Sequence, residues 1–322
     1  MGNPFFGAIL MSEPAQFVET LEYRRFAEFC EACRRYRYIG LCYGRPGVGK
    51  TLSARHYVRW DTIHGVNVYT IPEEELLAIH SAGRPDAVLC TASVINTPKS
   101  VEGDISKARN LLYRIALEPL YREHKATMEQ HRDQYEQART EYCASGEWMN
   151  LSGEQGSAPT PPSYDDLARK FAEREKTIVD PTNVVLIDEA DRLKMASLEA
   201  VRDVFDRSQI GLILIGMPGI EKRLARYPQF YSRIGFVHEF RPLSAAEVRR
   251  LLTGAWTPPG VHLPPLDEET MAAIIRITGG NFRLLDRLLA QTERIVEINE
   301  LPKVTCQAVE AARESLVIGQ TG

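Results

Sequence analysis

One stretch limits what this chain can fold into more than any other: Gly44-Arg45-Pro46-Gly47-Val48-Gly49-Lys50-Thr51. It fits G-x-x-x-x-G-K-[ST], the P-loop pattern. Its flanks matter as much as its letters. Tyr38-Ile39-Gly40-Leu41-Cys42-Tyr43 ahead of it is an apolar run of strand length, and Thr51 to Trp60 behind it reads as a helix. A strand that enters a glycine-rich loop and opens a helix gathers backbone N–H groups around an anion at a helix N-terminus. In that setting Lys50 reaches the β- and γ-phosphates of ATP, and the Thr51 hydroxyl ligates Mg²⁺. Gly44 through Leu52 is the expected nucleotide loop.

The rest of the chain supplies the sheet that such a loop needs. Ala87 to Ser93, Val184 to Ile187, Gly211 to Ile215 and Phe236 to Phe240 are further short apolar runs. Helical periodicity separates them. Phe17 to Arg35 places Phe17, Leu21, Phe26, Phe29 and Ala32 at helical intervals. A short helical piece is expected around Glu73 to His80, and a longer one from Asp104 to Leu120, ending near Pro119. Strands alternating with helices predict an α/β fold, an αβα parallel sheet with helices on both faces. Ligands then bind beyond the carboxyl ends of the strands, where the P-loop and Asp188 would meet.

Three regions follow from composition and period. Residues 1–35 read as an arm, mobile over 1–12, leading into an amphipathic helix; 36–242 as the nucleotide-binding core; 243–318 as a helical lid. Ser244-Ala245-Ala246-Glu247 is a capping box, and Asp267 to Thr278, Asn281 to Ile298 and Val304 to Leu316 continue as helices. Residues 121–171 form an insertion in the core. Tyr121 to Tyr142 is helix-like and dense in charge, Ser145 to Ser163 is rich in Ser, Gly and Pro, and Asp165 to Thr177 returns to helix. A solvated helical hairpin and a partner-docking or DNA-guiding arm both fit this pattern.

Val184-Val185-Leu186-Ile187 ends in Asp188-Glu189. Beside a P-loop, this pairing assigns Asp188 to Mg²⁺ and Glu189 to orienting and deprotonating the attacking water. Hydrolysis also needs positive charge on the γ-phosphate, which an arginine of a neighbouring subunit can supply. Arg233, just before the last strand, is the candidate, with Arg223 and Arg226 as competitors. Arg283 stands in the first turn of the helix opened by Gly279-Gly280-Asn281. A cation there opposes the helix dipole, which points to a ligand such as the nucleotide phosphates.

Composition sets limits. The 322 residues carry a formal net charge of −4, so no global basic signature announces nucleic acid, although a local stripe would suffice. No apolar run has membrane-span length and no signal peptide is evident, so the expectation is a cytoplasmic protein without a membrane partner. The six cysteines are scattered, and Cys30-x-x-Cys33 lacks two further ligands at zinc spacing. They are expected to be reduced packing thiols.

With P-loop, Asp-Glu strand end, pre-strand arginine and Gly-Gly-Asn-x-Arg helix in this order, the chain resembles the AAA+ ATPases from about Tyr36 to Leu316. In that family these segments correspond to Walker A, Walker B, arginine finger and sensor 2. A narrower likeness is to the transposition ATPases TnsC, TniB and MuB. It rests on Phe17-Val18-Glu19-Thr20, Arg25-Phe26, Ile39 to Thr51 with Leu52-Ser53-Ala54-Arg55, and Leu214-Ile215-Gly216-Met217-Pro218-Gly219. The resemblance implies ATP-bound rings or filaments around duplex DNA that recruit and stimulate a transposase, with hydrolysis driving disassembly; a targeting protein is a further partner. Two departures stand out: the sensor 1 position offers Gly216-Met217 rather than a polar residue, and the insertion is long.

In ring-forming relatives DNA is contacted by channel-facing loops, and here Thr97 to Arg109 is the matching stretch. Lys99, Lys107 and Arg109 are its candidate phosphate contacts, sequence-tolerant and salt-sensitive. Two other functions compete. One is an initiator-like or helicase-loading ATPase, which would normally carry a C-terminal winged helix where only a short tail follows here. The other is a nucleotide switch that gates a protein partner without DNA.

Overall fold

Residues 17–83, 85–145, 158–256, 258 and 260–316 are described by the structure, a computed structural model. The expected arm at 1–12 and residues 146–157 of the Ser/Gly/Pro-rich segment lie outside them. In chain order the first half comprises α1 (Leu21–Tyr36), β1 (Ile39–Tyr43), α2 (Lys50–Tyr57), α3 (Trp60–Ile63), α4 (Glu73–Ser81), β2 (Ala87–Thr91), α5 (Pro98–Ser145) and α6 (Asp165–Glu175). The second half comprises β3 (Val184–Asp188), α7 (Met195–Arg207), β4 (Gly211–Gly216), α8 (Ile220–Leu224), α9 (Pro228–Tyr231) and β5 (Ile234–Glu239). Four helices close the chain: α10 (Ala245–Arg250), α11 (Glu268–Thr278), α12 (Phe282–Ile298) and α13 (Cys306–Glu314).

The described residues divide into two units, one lying within 1–61, 89–102 and 183–322, the other within 62–88 and 103–182. The first is built on a five-stranded sheet of order β2-β3-β4-β1-β5. β1 pairs in parallel with β4 and β5, and β3 with β4. This is the expected parallel α/β sheet. Every residue of β3 and β4 is buried, as continuous apolar runs demand, because helices cover both faces of a central parallel strand. β5 alternates half-buried and exposed residues, the signature of an edge strand. It begins at Ile234, two residues before the apolar run in the sequence, since alternation hides a strand's start.

Helix α1 packs on β1, β4 and β5. It starts where the Thr20 hydroxyl accepts the Tyr23 N–H at 3.1 Å. Cys30 and Cys33 lie on its buried face, and burial pushes the Cys33 thiol up to about 12, so both are un-ionised packing groups.

Helices α10 to α13 share a core that includes Val248, Leu251, Ile274, Leu285, Leu288 and Val309. Each starts on a side-chain cap: Ser244, Asp267, Asn281 and Thr305. The Ser244–Glu247 capping box is reciprocal, as its sequence requires.

The second unit holds α4, α6 and most of α5. Pro119 does not end the helix: α5 runs unbroken from Pro98 to Ser145. A proline inside a helix costs about 3 kcal/mol, but Ile115, Ala116 and Leu120 around it are buried, and each large one is worth roughly 1.5–3 kcal/mol. Burial wins. From Tyr121 to Ser145 no residue of α5 is buried, and none is on α6. The two helices meet through Arg174, which grips the Glu123 carboxylate at 2.6 and 2.8 Å, and through the Phe171 ring, 4.6 Å from His124.

Candidate nucleotide site

The P-loop leaves the end of β1 and enters α2 through two glycines at positive φ, Gly47 at 80° and Gly49 at 112°. Gly47 is required twice over. A Cβ there would also stand 2.5 Å from the Asn281 side-chain oxygen and 2.9 Å from the Arg283 Cβ. Within the loop, Lys50 Nζ donates to the carbonyls of Gly44 at 2.6 Å and Arg45 at 2.9 Å. Burial pulls this ammonium below the usual lysine range, while the carboxylates of Asp188, Glu189 and Asp191 act the other way. A cation held out of water by two neutral carbonyls is poorly compensated, so an incoming phosphate oxygen would bind it strongly. Val48 is buried in the loop's turn, while Arg45, Pro46 and Leu52 are exposed beside it.

At the end of β3, Asp188 is buried and accepts the Thr51 hydroxyl at 2.7 Å. Its other oxygen accepts the Glu189 N–H at 2.9 Å. The two oxygens expected on Mg²⁺ therefore come from the first turn of α2 and the end of β3, and already touch. Hard oxygen ligands of this kind suit the ion. Glu189 has φ 55°, left-handed for a non-glycine residue, and its carboxylate stands 3.5 Å from Arg192. A non-glycine residue in this region costs about 1–2 kcal/mol of backbone strain.

The C-terminal helices reach the same loop. The Arg283 N–H donates to the Gly47 carbonyl at 2.9 Å, and Asn281 Nδ2 donates to the Pro46 carbonyl at 2.8 Å. Asn281 also caps α12, its Oδ1 accepting the Leu284 N–H. Gly280 lets this happen: at φ 77°, a Cβ on it would fall 1.9 Å from the Leu243 carbonyl oxygen. The Arg283 side chain is exposed at the helix start.

Other sequence-derived residues sit elsewhere. Arg233 precedes β5, about a third exposed, its Nε on Asp206 at 2.7 Å and its Nη1 on the Gln229 carbonyl at 2.6 Å. Arg223 is engaged with the carbonyls of Asp191, at 2.7 Å, and Leu193, which commits its guanidinium to the turn after β3. Arg226 is exposed. On α5, Lys99 is exposed in the first turn; Lys107 faces Asp104 at 3.9 Å and Arg109 pairs with Asp180 at 2.8 Å.

Sequence reasoning missed three residues. Asp191 accepts the Met217 N–H at 3.2 Å, so a carboxylate from the turn after β3 reaches the position where a polar sensor 1 side chain was expected. Asn96, 2% exposed, donates to the carbonyls of Ser93 and Arg192 and accepts from Lys194 N–H and the Ser197 hydroxyl, welding the loop after β2 to β3's exit. Asn281 was read only as the residue opening its helix. Each acts through tertiary contact, which carries no local pattern; only Asn281, in Gly-Gly-Asn, left a capping signal.

Comparison with known proteins agrees with this geometry. The family described as the AAA domain matches residues 33–224, over half of the chain. The chain belongs to that family. This AAA-domain protein is also 38% identical, over 312 residues covering 96% of it and 99% of the relative, to a "Potential ATP-binding protein" of Staphylococcus aureus. Among solved structures it is similar to the ORC2 protein of Aeropyrum pernix in ADPNP–ADP complexes, with TM-score 0.50 and 15% identity over 97% of this chain and 72% of that one. Another is the ORC1 protein of the same organism in complex with DNA, at TM-score 0.47 and 19% identity over 91% of this chain and 64% of that one. The AAA-domain protein thus spans less than two thirds of that second chain. At 15% identity the ORC2 likeness speaks for the fold alone. The family is that of nucleotide-binding ATPases, and no described helix is long and apolar enough to cross a membrane.

Proposed function

We propose that this AAA-domain protein is an ATP-dependent, oligomerising DNA-binding regulator of transposition, in which hydrolysis releases duplex DNA and a transposase partner. The observation that carries the switch is the double tether of Asn281 and Arg283 to Pro46 and Gly47. It makes the lid helix a direct reader of the loop's state. The Thr51 and Asp188 oxygens ligate Mg²⁺, Lys50 draws the β- and γ-phosphates into the loop, and Glu189 takes the proton of the attacking water. Arg283 adds charge from the lid, and Arg233, once released from Asp206, adds it to a neighbouring copy. DNA and transposition enter through the likeness of Phe17 to Arg55 and Leu214 to Gly219 to TniB-type proteins, with Lys99 and Lys107 the exposed cations of the candidate contact stretch.

The test is binding to random-sequence duplex DNA with ATP, with ADP and without nucleotide, across a salt series. Cooperative, salt-sensitive binding only with ATP supports the reading. A second function has one observation in its favour. Lys107 and Arg109 are paired with Asp104 and Asp180, which reduces the charge available to phosphates. ATP binding with no DNA binding in any nucleotide state would identify a switch that gates a protein partner.

A further inference from the structure

Arg34-Arg35-Tyr36-Arg37-Tyr38 spans the end of α1 and the approach to β1. Guanidinium groups alternate here with phenol rings. The helix stops because Arg37 turns into the left-handed region at φ 55°, and the four side chains from Arg35 to Tyr38 are exposed in succession. Tyr36 and Tyr38 are 55% and 46% exposed. Their rings lie nearly parallel, 21° apart, with centroids separated by 6.3 Å. Phe236 of β5 braces both, at 5.9 Å from Tyr36 and 5.6 Å from Tyr38. Gly235 beside it lets Tyr38 rest on the strand backbone, since a Cβ there would lie 2.4 Å from the ring. The rings form a supported platform rather than loose side chains.

Its charge is positive. The Arg35 guanidinium stands 5.6 Å from the Tyr36 ring centroid, and Arg37 donates to the neutral Gln209 side chain at 2.6 Å. Two acids on the neighbouring elements are engaged elsewhere: Glu31 with Arg34 at 3.3 Å and Asp206 with Arg233 at 2.7 Å. Among the described residues neither Arg35 nor Arg37 has a carboxylate within ion-pair distance. An acidic peptide would use the cations and leave the ring faces idle. A duplex would offer phosphates but keep its base faces stacked inside. Unpaired bases with their phosphates use both features at once.

We propose that Tyr36 and Tyr38, braced by Phe236 and flanked by Arg35 and Arg37, bind single-stranded nucleic acid, bases stacking on the rings and phosphates on the guanidiniums. None of these residues belongs to the nucleotide loop or its acids, so a variant that has lost ATP binding keeps this affinity.

Anisotropy of a labelled 20-nucleotide oligothymidylate, titrated with the full chain across a salt series, tests it, with a duplex of equal length beside it. Tyr36→Ala is expected to weaken binding of the single strand roughly 5- to 150-fold, the range for one lost base stack, while Tyr36→Phe retains it. Arg35→Ala with Arg37→Ala should flatten the slope of log K against log salt by about 1.4, at about 0.7 per phosphate contact. Unchanged melting and unchanged ATP binding certify the fold of each variant, and Tyr38→Ala gives a second, independent removal. Wild-type affinity for the oligonucleotide in the Tyr36→Ala/Tyr38→Ala variant overturns the assignment. So does a failure of the wild type to bind. Altered sedimentation of that variant with unaltered oligonucleotide affinity would reassign the platform to contact between copies of the chain.

Discussion

The backbone N–H of Arg283, at the start of α12, donates to the carbonyl of Gly47 in the middle of the P-loop at 2.9 Å. One residue pair thus joins the loop that would hold the phosphates to the helix that carries Arg283 in its first turn. Asn281 doubles the link through Pro46. Any nucleotide that shifts Pro46 or Gly47 must shift α12 with them.

Asn281 serves as both cap and tether, and two substitutions separate these roles. Asn281→Ala removes both and is expected to lower stability by about 1–2 kcal/mol, the usual value of an N-cap. Asn281→Asp keeps an acceptor for the Leu284 N–H but has no donor for the Pro46 carbonyl. Its melting temperature without ligand should stay near that of the wild type, while the rise on adding ATP should shrink. An ATP-induced rise as large as the wild type's would show that the tether does not transmit nucleotide state.

Lys50→Ala should weaken ATP binding sharply, as measured by calorimetry. The ammonium is partly desolvated and held only by carbonyls, so it is poised for phosphate, and a hydrogen bond to a charged group is worth about 1.5–3 kcal/mol. A loss of affinity of at least tenfold follows. Retained binding would mean that the loop's N–H groups suffice alone.

Glu189→Gln leaves the shape of the site intact and removes the base. Steady-state phosphate release should fall by about 10²–10⁴-fold with ATP affinity unchanged, the usual contribution of a positioned base. A variant that still turns over at the wild-type rate would move the role to another acid, and Asp191, on the Met217 N–H, is the next in place.

How much of this was readable beforehand depends on the range of the signal. The P-loop, the Asp188–Glu189 strand end and the Ser244–Glu247 capping box are local, so their residues announce themselves in sequence, as do fully buried strands such as β3 and β4. The start of β5 was missed because an edge strand alternates rather than running apolar. The continuity of α5 through Pro119 was missed because local propensity was outweighed by burial of Ile115 and Leu120. Asp191 and Asn96 were invisible because their partners lie on other elements. The intrachain partners of the two candidate arginines, Asp191 and Leu193 for Arg223 and Asp206 for Arg233, likewise leave no local pattern.

Glu22 gives a pH prediction. Burial alone would raise its carboxyl, but the His238 ring at 3.2 Å, the Arg241 N–H at 3.0 Å and Arg25 outweigh it and hold the group below its ordinary value of 4.5. A carboxyl depressed in the folded state binds protons more readily when unfolded, so its stabilisation is complete above about pH 4.5 and disappears as pH falls through the lower folded value. Urea melts at pH 7 should show Glu22→Gln less stable than the wild type by about 1.5–3 kcal/mol. The gap should narrow steadily below pH 4.5. A gap independent of pH would mean that Glu22 acts through packing, not charge.

Arg233 offers the sharpest distinction between a site complete in one chain and a site shared by two. Its guanidinium is held on its own chain by Asp206 and the Gln229 carbonyl, and the Asp206 carboxylate raises its already high pKa. If it acts on a neighbour's γ-phosphate, Arg233→Ala should leave ATP affinity of dilute single subunits unchanged and cut turnover by roughly 10³-fold or more, the scale of an arginine supplied in trans. Mixing this variant with Glu189→Gln subunits should then restore part of the activity. Each interface that pairs an intact Glu189 with an intact Arg233 from the other chain is complete. No recovery on mixing, with both variants folded and assembling, would place Arg233 in structural service to Asp206 and leave exposed Arg226 as the trans arginine.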